Sequence, residues 1–131
     1  MKKLTAEWVR KAEADLSLAV RVSAQRPRLN DAVCFHCQQA AEKYLKALMC
    51  ERSLTIPRTH DLGNLLLQLL PTDSTLAKHR RRLLRLTDYA VDYRYPGIHA
   101  SPRQAQSAVR MASLIRDDIR SRFGLRARPI L

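Results

Sequence analysis

Asn30 to Leu48, NDAVCFHCQQAAEKYLKAL, is the stretch from which the fold can be read. Val33, Cys37, Ala40, Ala41, Tyr44 and Leu48 follow one another mostly at helical steps of three and four, and Cys34, Ala41 and Leu45 widen the stripe on one side. An apolar arc that broad, partly of small residues, predicts a central helix touched by more than one neighbour, with Ala40 and Ala41 admitting a partner backbone. Asn30 or Asp31 is expected to cap its start, and Glu42 with Lys46, one turn apart, to form a pair on a narrow, solvated polar face.

Working outward, Thr5 is placed to cap a first helix with apolar positions Val9, Ala12, Leu16, Ala19 and Val20, Trp8 beside the stripe, and Glu7, Arg10, Lys11, Glu13 and Arg21 outside. That helix ends before Pro27, which disfavours helix at Arg26, and a short turn leads into the central helix. Beyond Leu48 the period is lost through Pro57. Leu62, Leu65, Leu66 and Leu69 then mark a short third helix, weakened by Gly63 and stopped by Pro71, with His60 and Asp61 as its cap and anchor. Asp73 or Ser74 caps a fourth helix, with Leu76, Leu83, Leu84, Thr87, Ala90 and Val91 inward and His79, Arg80, Arg81, Arg82 and Arg85 outward. Pro96-Gly97 suits the centre of a type II turn. Ser101-Pro102-Arg103-Gln104 is a capping box that starts the last helix, which carries Ala105, Ala108, Val109, Ala112, Ile115, Ile119 and Phe123 and ends at Gly124. No strand pattern or repeat is evident. The expectation is an all-α, up-down antiparallel helical bundle of four main helices plus one short helix, one domain over residues 1–125, followed by a frayed basic tail at 126–131.

A length of 131 residues allows one domain with a real core. No apolar run approaches the roughly 18 residues of a membrane span, and three cysteines without an export signal imply free thiols, so the reading is a cytoplasmic protein with no membrane role. The 24 Lys and Arg against 12 Asp and Glu give a net charge of +12. A field of that sign attracts polyanions, nucleic acid first and an acidic protein surface second. Many basic proteins carry such charge for solubility alone, and the run on the fourth helix fits a solvated face as well as a polyanion contact.

For chemistry, Arg94 and His99 stand on either side of the Pro96-Gly97 turn, which would draw them together. Histidine titrates near neutrality and can move a proton at a ribose 2′-hydroxyl, while an arginine fork holds a phosphate. The competing reading has the arginine on backbone carbonyls and the histidine near a helix cap. Cys34, His36 and Cys37 lack a second ligand cluster, and the cysteines read as core thiols, so no metal and no cofactor is expected. Lys43 and Lys46 either face an anion or are ordinary helix lysines.

Taken together, the pattern around Trp8, Ala12, Asp15, Leu16 and Ala19, the run Cys37-Gln-Gln-Ala-Ala-Glu-Lys-Tyr-Leu-Lys-Ala-Leu48, His60-Asp61-Leu62 and Tyr93-Arg94-Tyr95-Pro96 resemble the HEPN family, in particular its minimal single-domain prokaryotic members. The resemblance implies a dimerising helical bundle, encoded beside a minimal nucleotidyltransferase as a toxin and antitoxin pair. It further implies a metal-independent endoribonuclease, with Arg94 and His99 from two subunits as catalytic residues; Arg94 and Tyr95, with Lys43 and with Arg81 and Arg85 of the basic run, are the expected contacts to RNA or a nucleotide. Two positions depart from the active pattern: Tyr95 replaces a small polar residue after the arginine, and Ser101 stands where antitoxin-modified members carry tyrosine. A non-catalytic nucleotide-binding or antitoxin-binding role is the alternative.

Overall fold

The computed structural model describes residues 1–130, so Leu131, the last residue of the expected tail, lies outside them. Five α-helices follow one another: α1 (Lys3–Ser23), α2 (Asn30–Glu51), α3 (Leu62–Leu69), α4 (Arg80–Asp92) and α5 (Pro102–Arg122), with a 3-10 segment, Ser74–His79, leading into α4. No strand occurs among the described residues. The fold is the expected all-helical one of four principal helices and a short one.

The centre of the bundle is α2, which packs on α1, α3, α4 and α5. Ala40, Ala41 and Ala47 are fully buried, as close backbone approach demands, and Tyr44, Leu45, Leu48 and Met49 fill the space between helices. Each of those larger side chains contributes about 1.5–3 kcal/mol by leaving water. The expected solvated face is not there. Gln38, Glu42 and Lys46 are buried as well, because the segment before α3 closes over that side of α2. Burial is tolerated because the polar groups are matched: Glu42 accepts from Lys46 Nζ at 3.0 Å and His60 Nδ1 at 2.9 Å, and Gln38 Nε2 donates to the His60 carbonyl at 2.9 Å. Lys46 also lies 6.0 Å from the Trp8 ring centre.

Several caps differ from expectation. α1 begins at Lys3 rather than after Thr5, whose side chain is buried inside the first turns, and the Lys2 amide is held by Glu51 Oε1 at 2.9 Å. The N-cap of α2 is Leu29, without a side-chain bond, because Asn30 and Asp31 reach across to the α4–α5 link instead. By contrast Asp61 caps α3 through Gly63 N and Asn64 N, Asp73 caps the 3-10 segment through Thr75 N, and Ser101 with Gln104 forms the capping box of α5. Gly97 and Gly124 adopt φ of 89° and 70°, the left-handed values that the turn and the helix end require.

His79 was expected outward and is buried, its Nε2 donating to Asp118 Oδ2 at 2.6 Å while its Nδ1 accepts from Arg82 Nη1 at 3.3 Å. The 3-10 segment rotates it off the face that a continuous α-helix would give. Leu84 and Val91, expected inward, are exposed. Glu13 is not a free outer residue of α1. It joins two buried arginines of α5, accepting from Arg116 Nε with both oxygens at 3.0 Å and from Arg120 Nη1 at 2.9 Å. The same guanidiniums hold the tail, Arg116 Nη1 donating to the Arg128 carbonyl at 2.6 Å and Arg120 Nη2 to that of Arg126 at 2.7 Å. Residues 125–130 carry no helix, yet the carbonyls of Arg126 and Arg128 are tied down. No helix among the described residues is long and apolar enough to cross a membrane.

Candidate functional site

Arg94 follows the end of α4, its backbone N–H held by the Val91 carbonyl at 3.4 Å. Its side chain is exposed and has no carboxylate partner among the described residues. Arg52, Arg116, Arg120 and Arg122 are paired with acids, whereas Arg81 and Arg85 are acid-free as Arg94 is, so what sets Arg94 apart is its place at the edge of two depressions. The larger, about 460 Å³, is lined by Phe35, Gln38, Gln39, His60, Asp61, Thr87, Ala90 and Val91. A smaller one, about 270 Å³, is lined by Asp31, Ala32, Phe35, His36, Tyr89, Ala90 and Tyr93.

His99 lies on the far side of the Pro96-Gly97 turn. The turn forms as expected, but it does not bring His99 into either depression. Asp31 captures the segment: Oδ1 accepts from the Ala100 amide at 2.7 Å and Oδ2 from His99 Nδ1 at 3.2 Å. His99 therefore opens into a third depression, about 440 Å³, bounded by Arg28, Leu29, Asn30 and Asp31. Asp31 and Ala32, in the first turn of α2, border both the smaller depression at Arg94 and the one at His99. Tyr95 and Ile98, at the turn, and Phe35 and Val91, beside Arg94, are exposed apolar side chains around the same region.

The remaining expected binding residues fall into two groups. Arg81 and Arg85 are exposed on α4 with no acidic partner among the described residues, free to meet an anion. Lys43 is bound to Asp15 Oδ2, and Asp15 Oδ1 also accepts from His36 Nδ1 at 3.0 Å, so Lys43 is committed to α1. Lys46 is likewise committed, to Glu42.

Cys34 and Cys37 are buried, free thiols. Burial, with the Asp31 charge added, pushes the Cys34 thiol up to about 12, and burial raises Cys37 as well, so neither is a nucleophile near neutral pH. No group of three or more His, Cys, Asp or Glu gathers as a metal site among the described residues. What the sequence reading missed is that His60, while anchored to Glu42, turns its ring toward solvent beside Arg94. Its Nδ1 bond to a residue four positions after Gln38 could have been sought as a partner for the run of polar residues on α2.

The HEPN domain family model matches residues 5–122. Among solved structures, the crystal structure of TT1696 from Thermus thermophilus is similar to this chain at 25% identity and a TM-score of 0.76, covering 92% of this chain and 98% of that one. The crystal structure of ST0689, an archaeal HEPN homologue, aligns at 23% identity and a TM-score of 0.73 over 93% of this chain and 98% of its own, which speaks for the fold. No curated protein matches.

Proposed function

Since the chain belongs to the HEPN domain family, we propose that it is a metal-independent endoribonuclease of the cytoplasm, acting as a homodimer and forming the toxin half of a pair with a minimal nucleotidyltransferase. The observation that carries the reading is the exposed, acid-free Arg94 guanidinium at the mouth of the 460 Å³ depression, in a protein of net charge +12. An arginine in that state is a fork open to two phosphate oxygens. Arg81 and Arg85 extend the positive surface along α4 and Tyr95 offers an exposed ring for a base.

The separation of Arg94 and His99 within a subunit supports a site assembled from two copies, with exposed Phe35, Val91, Tyr95 and Ile98 as apolar material for the contact. In that site Arg94 holds the scissile phosphate and His99 passes a proton at the 2′-hydroxyl or the leaving oxygen. The O2′–P bond forms as the P–O5′ bond breaks, leaving a 2′,3′-cyclic phosphate and a 5′-hydroxyl. A second reading keeps the same basic surface and removes the chemistry, leaving a nucleotide-binding or antitoxin-binding module. It is favoured by Tyr95, a bulky ring directly after Arg94 where the active pattern has a small polar residue. Cleavage of a mixed RNA pool in excess chelator decides between them, with wild type compared with His99→Ala prepared identically. Cleavage by wild type alone, with cyclic phosphate ends, supports the nuclease; retained RNA binding without cleavage by either supports the binding module.

A further inference from the structure

The Glu42 carboxylate is 5% exposed and accepts three hydrogen bonds: from Lys46 Nζ at 3.0 Å, from His60 Nδ1 at 2.9 Å and from Gln38 Nε2 at 3.4 Å. Lys46 compensates its charge, and the surrounding helices fix its place. The His60 side chain, by contrast, is 74% exposed and lines the depression that Arg94 borders. A carboxylate that takes the Nδ1 proton fixes the tautomer and leaves Nε2 with its lone pair, the edge that a general base uses. Nothing about α3 requires this arrangement, because Asp61 alone supplies the side-chain cap of that helix. Asp61 itself is a poor candidate, its Oδ1 being taken by Gly63 N and Asn64 N. His36 is weaker too: its ring packs edge-on against Phe35 at 5.3 Å and lines only the smaller of the two depressions that Arg94 borders.

We propose that His60 is a second catalytic histidine of this protein, the general base toward the 2′-hydroxyl of an RNA whose scissile phosphate rests on Arg94, with Glu42 as its positioning residue. The proposal rests on the reading of Arg94 as a phosphate site. His60 Nε2 takes the 2′-hydroxyl proton as O2′ bonds to phosphorus. The P–O5′ bond breaks, and the 5′ oxygen takes its proton from the imidazolium of His99. One histidine gains a proton and the other loses one, and exchange with water resets both.

His60→Asn is the informative variant, since the asparagine amide sits near the position of Nδ1 and can still donate to Glu42 while the titrating nitrogen is gone. The expected result is a folded protein that binds an oligonucleotide lacking the attacking 2′-hydroxyl as wild type does and cleaves the ordinary RNA about 100-fold or more slowly. Glu42→Gln should lower kcat with KM unchanged. A substrate with sulfur in place of the bridging 5′ oxygen, whose thiolate leaves without a proton, should restore cleavage to His99→Ala and not to His60→Asn. Wild-type cleavage rates in His60→Asn, or their restoration by the sulfur substrate, overturn the base assignment while leaving Arg94 untouched. If wild type neither binds nor cleaves the RNA, the phosphate reading of Arg94 fails, and the proposal fails with it.

Discussion

Asp31 is the residue through which the fold sets the site, and its removal can be worked through. Its carboxylate accepts from the Ala100 amide at 2.7 Å, and Ala100 is only 6% exposed, so Asp31→Ala leaves a buried donor without its partner. That costs about 1–3 kcal/mol. The His99 contact adds little, because the two side chains are 74% and 37% exposed and water screens them, about 0–1 kcal/mol. Loss of the negative charge from the first turn of α2 adds about 0.3–1 kcal/mol. These share one carboxylate and do not sum freely, so the expected loss is about 2–3 kcal/mol. Asp31→Asn keeps an oxygen acceptor for Ala100 and should cost less than about 1 kcal/mol. Urea unfolding measures both, read as a lower midpoint at unchanged slope. In the RNA assay Asp31→Ala should bind as wild type does, since Arg94 is not touched, and cleave more slowly. Equal stabilities for the alanine and asparagine variants would refute the idea that Asp31 clamps the α4–α5 link through Ala100.

Glu13→Ala leaves the buried guanidiniums of Arg116 and Arg120 short of charge, with Asp117 at 3.2 Å and the tail carbonyls as partial substitutes. With Glu13 26% exposed, the expected loss is about 2–4 kcal/mol by urea unfolding, and a surface-like cost would show that the tail carbonyls suffice. For His79, burial holds the pKa below its ordinary value, outweighing the pull of Asp118, and the Arg82 N–H aimed at Nδ1 suits the neutral ring. The unfolded chain therefore takes up a proton that the folded one resists, and stability falls as pH drops below about 6.5. His79→Gln should flatten that part of the stability profile below about pH 6.5, and an unchanged profile would count against the assignment.

Which parts of the molecule can be read from sequence depends on how local their causes are. The capping box at Ser101, the cap at Asp61 and the positive φ of Gly97 are set by neighbours within a few positions, and all three are where the residue types place them. Periodicity also finds the apolar stripe of α2. It cannot say how many neighbours surround that helix, so Glu42 and Lys46 look solvated although the segment around His60 covers them. Arg116 and Arg120 are similar: they flank Ile115 and Ile119 on α5, but only the fold brings Glu13 and the tail against them. For the candidate site, Arg94 and the turn after it are legible. Asp31's hold on His99, a contact across 68 positions, is not, because the local pattern at Asp31 points to a helix cap.

The packing of α2 has a consequence for motion. α1 and α5 lie against it as one group, α3, α4 and the 3-10 segment as another, and apart from α2 the two groups meet where α4 touches α5 and where His79 and Asp73 pair with Asp118 and Arg122 of α5. Arg94 belongs to the α3–α4 group, whereas His60, through Glu42 and Gln38, and His99, through Asp31, are fastened to α2. The group of α3 and α4 can thus loosen as a unit while α1, α2 and α5 remain closed. Amide hydrogen exchange should then run in tiers, slowest in α2 and faster in α3 and α4. Arg94 would then part from His60 and His99 at free energies well below that of global unfolding.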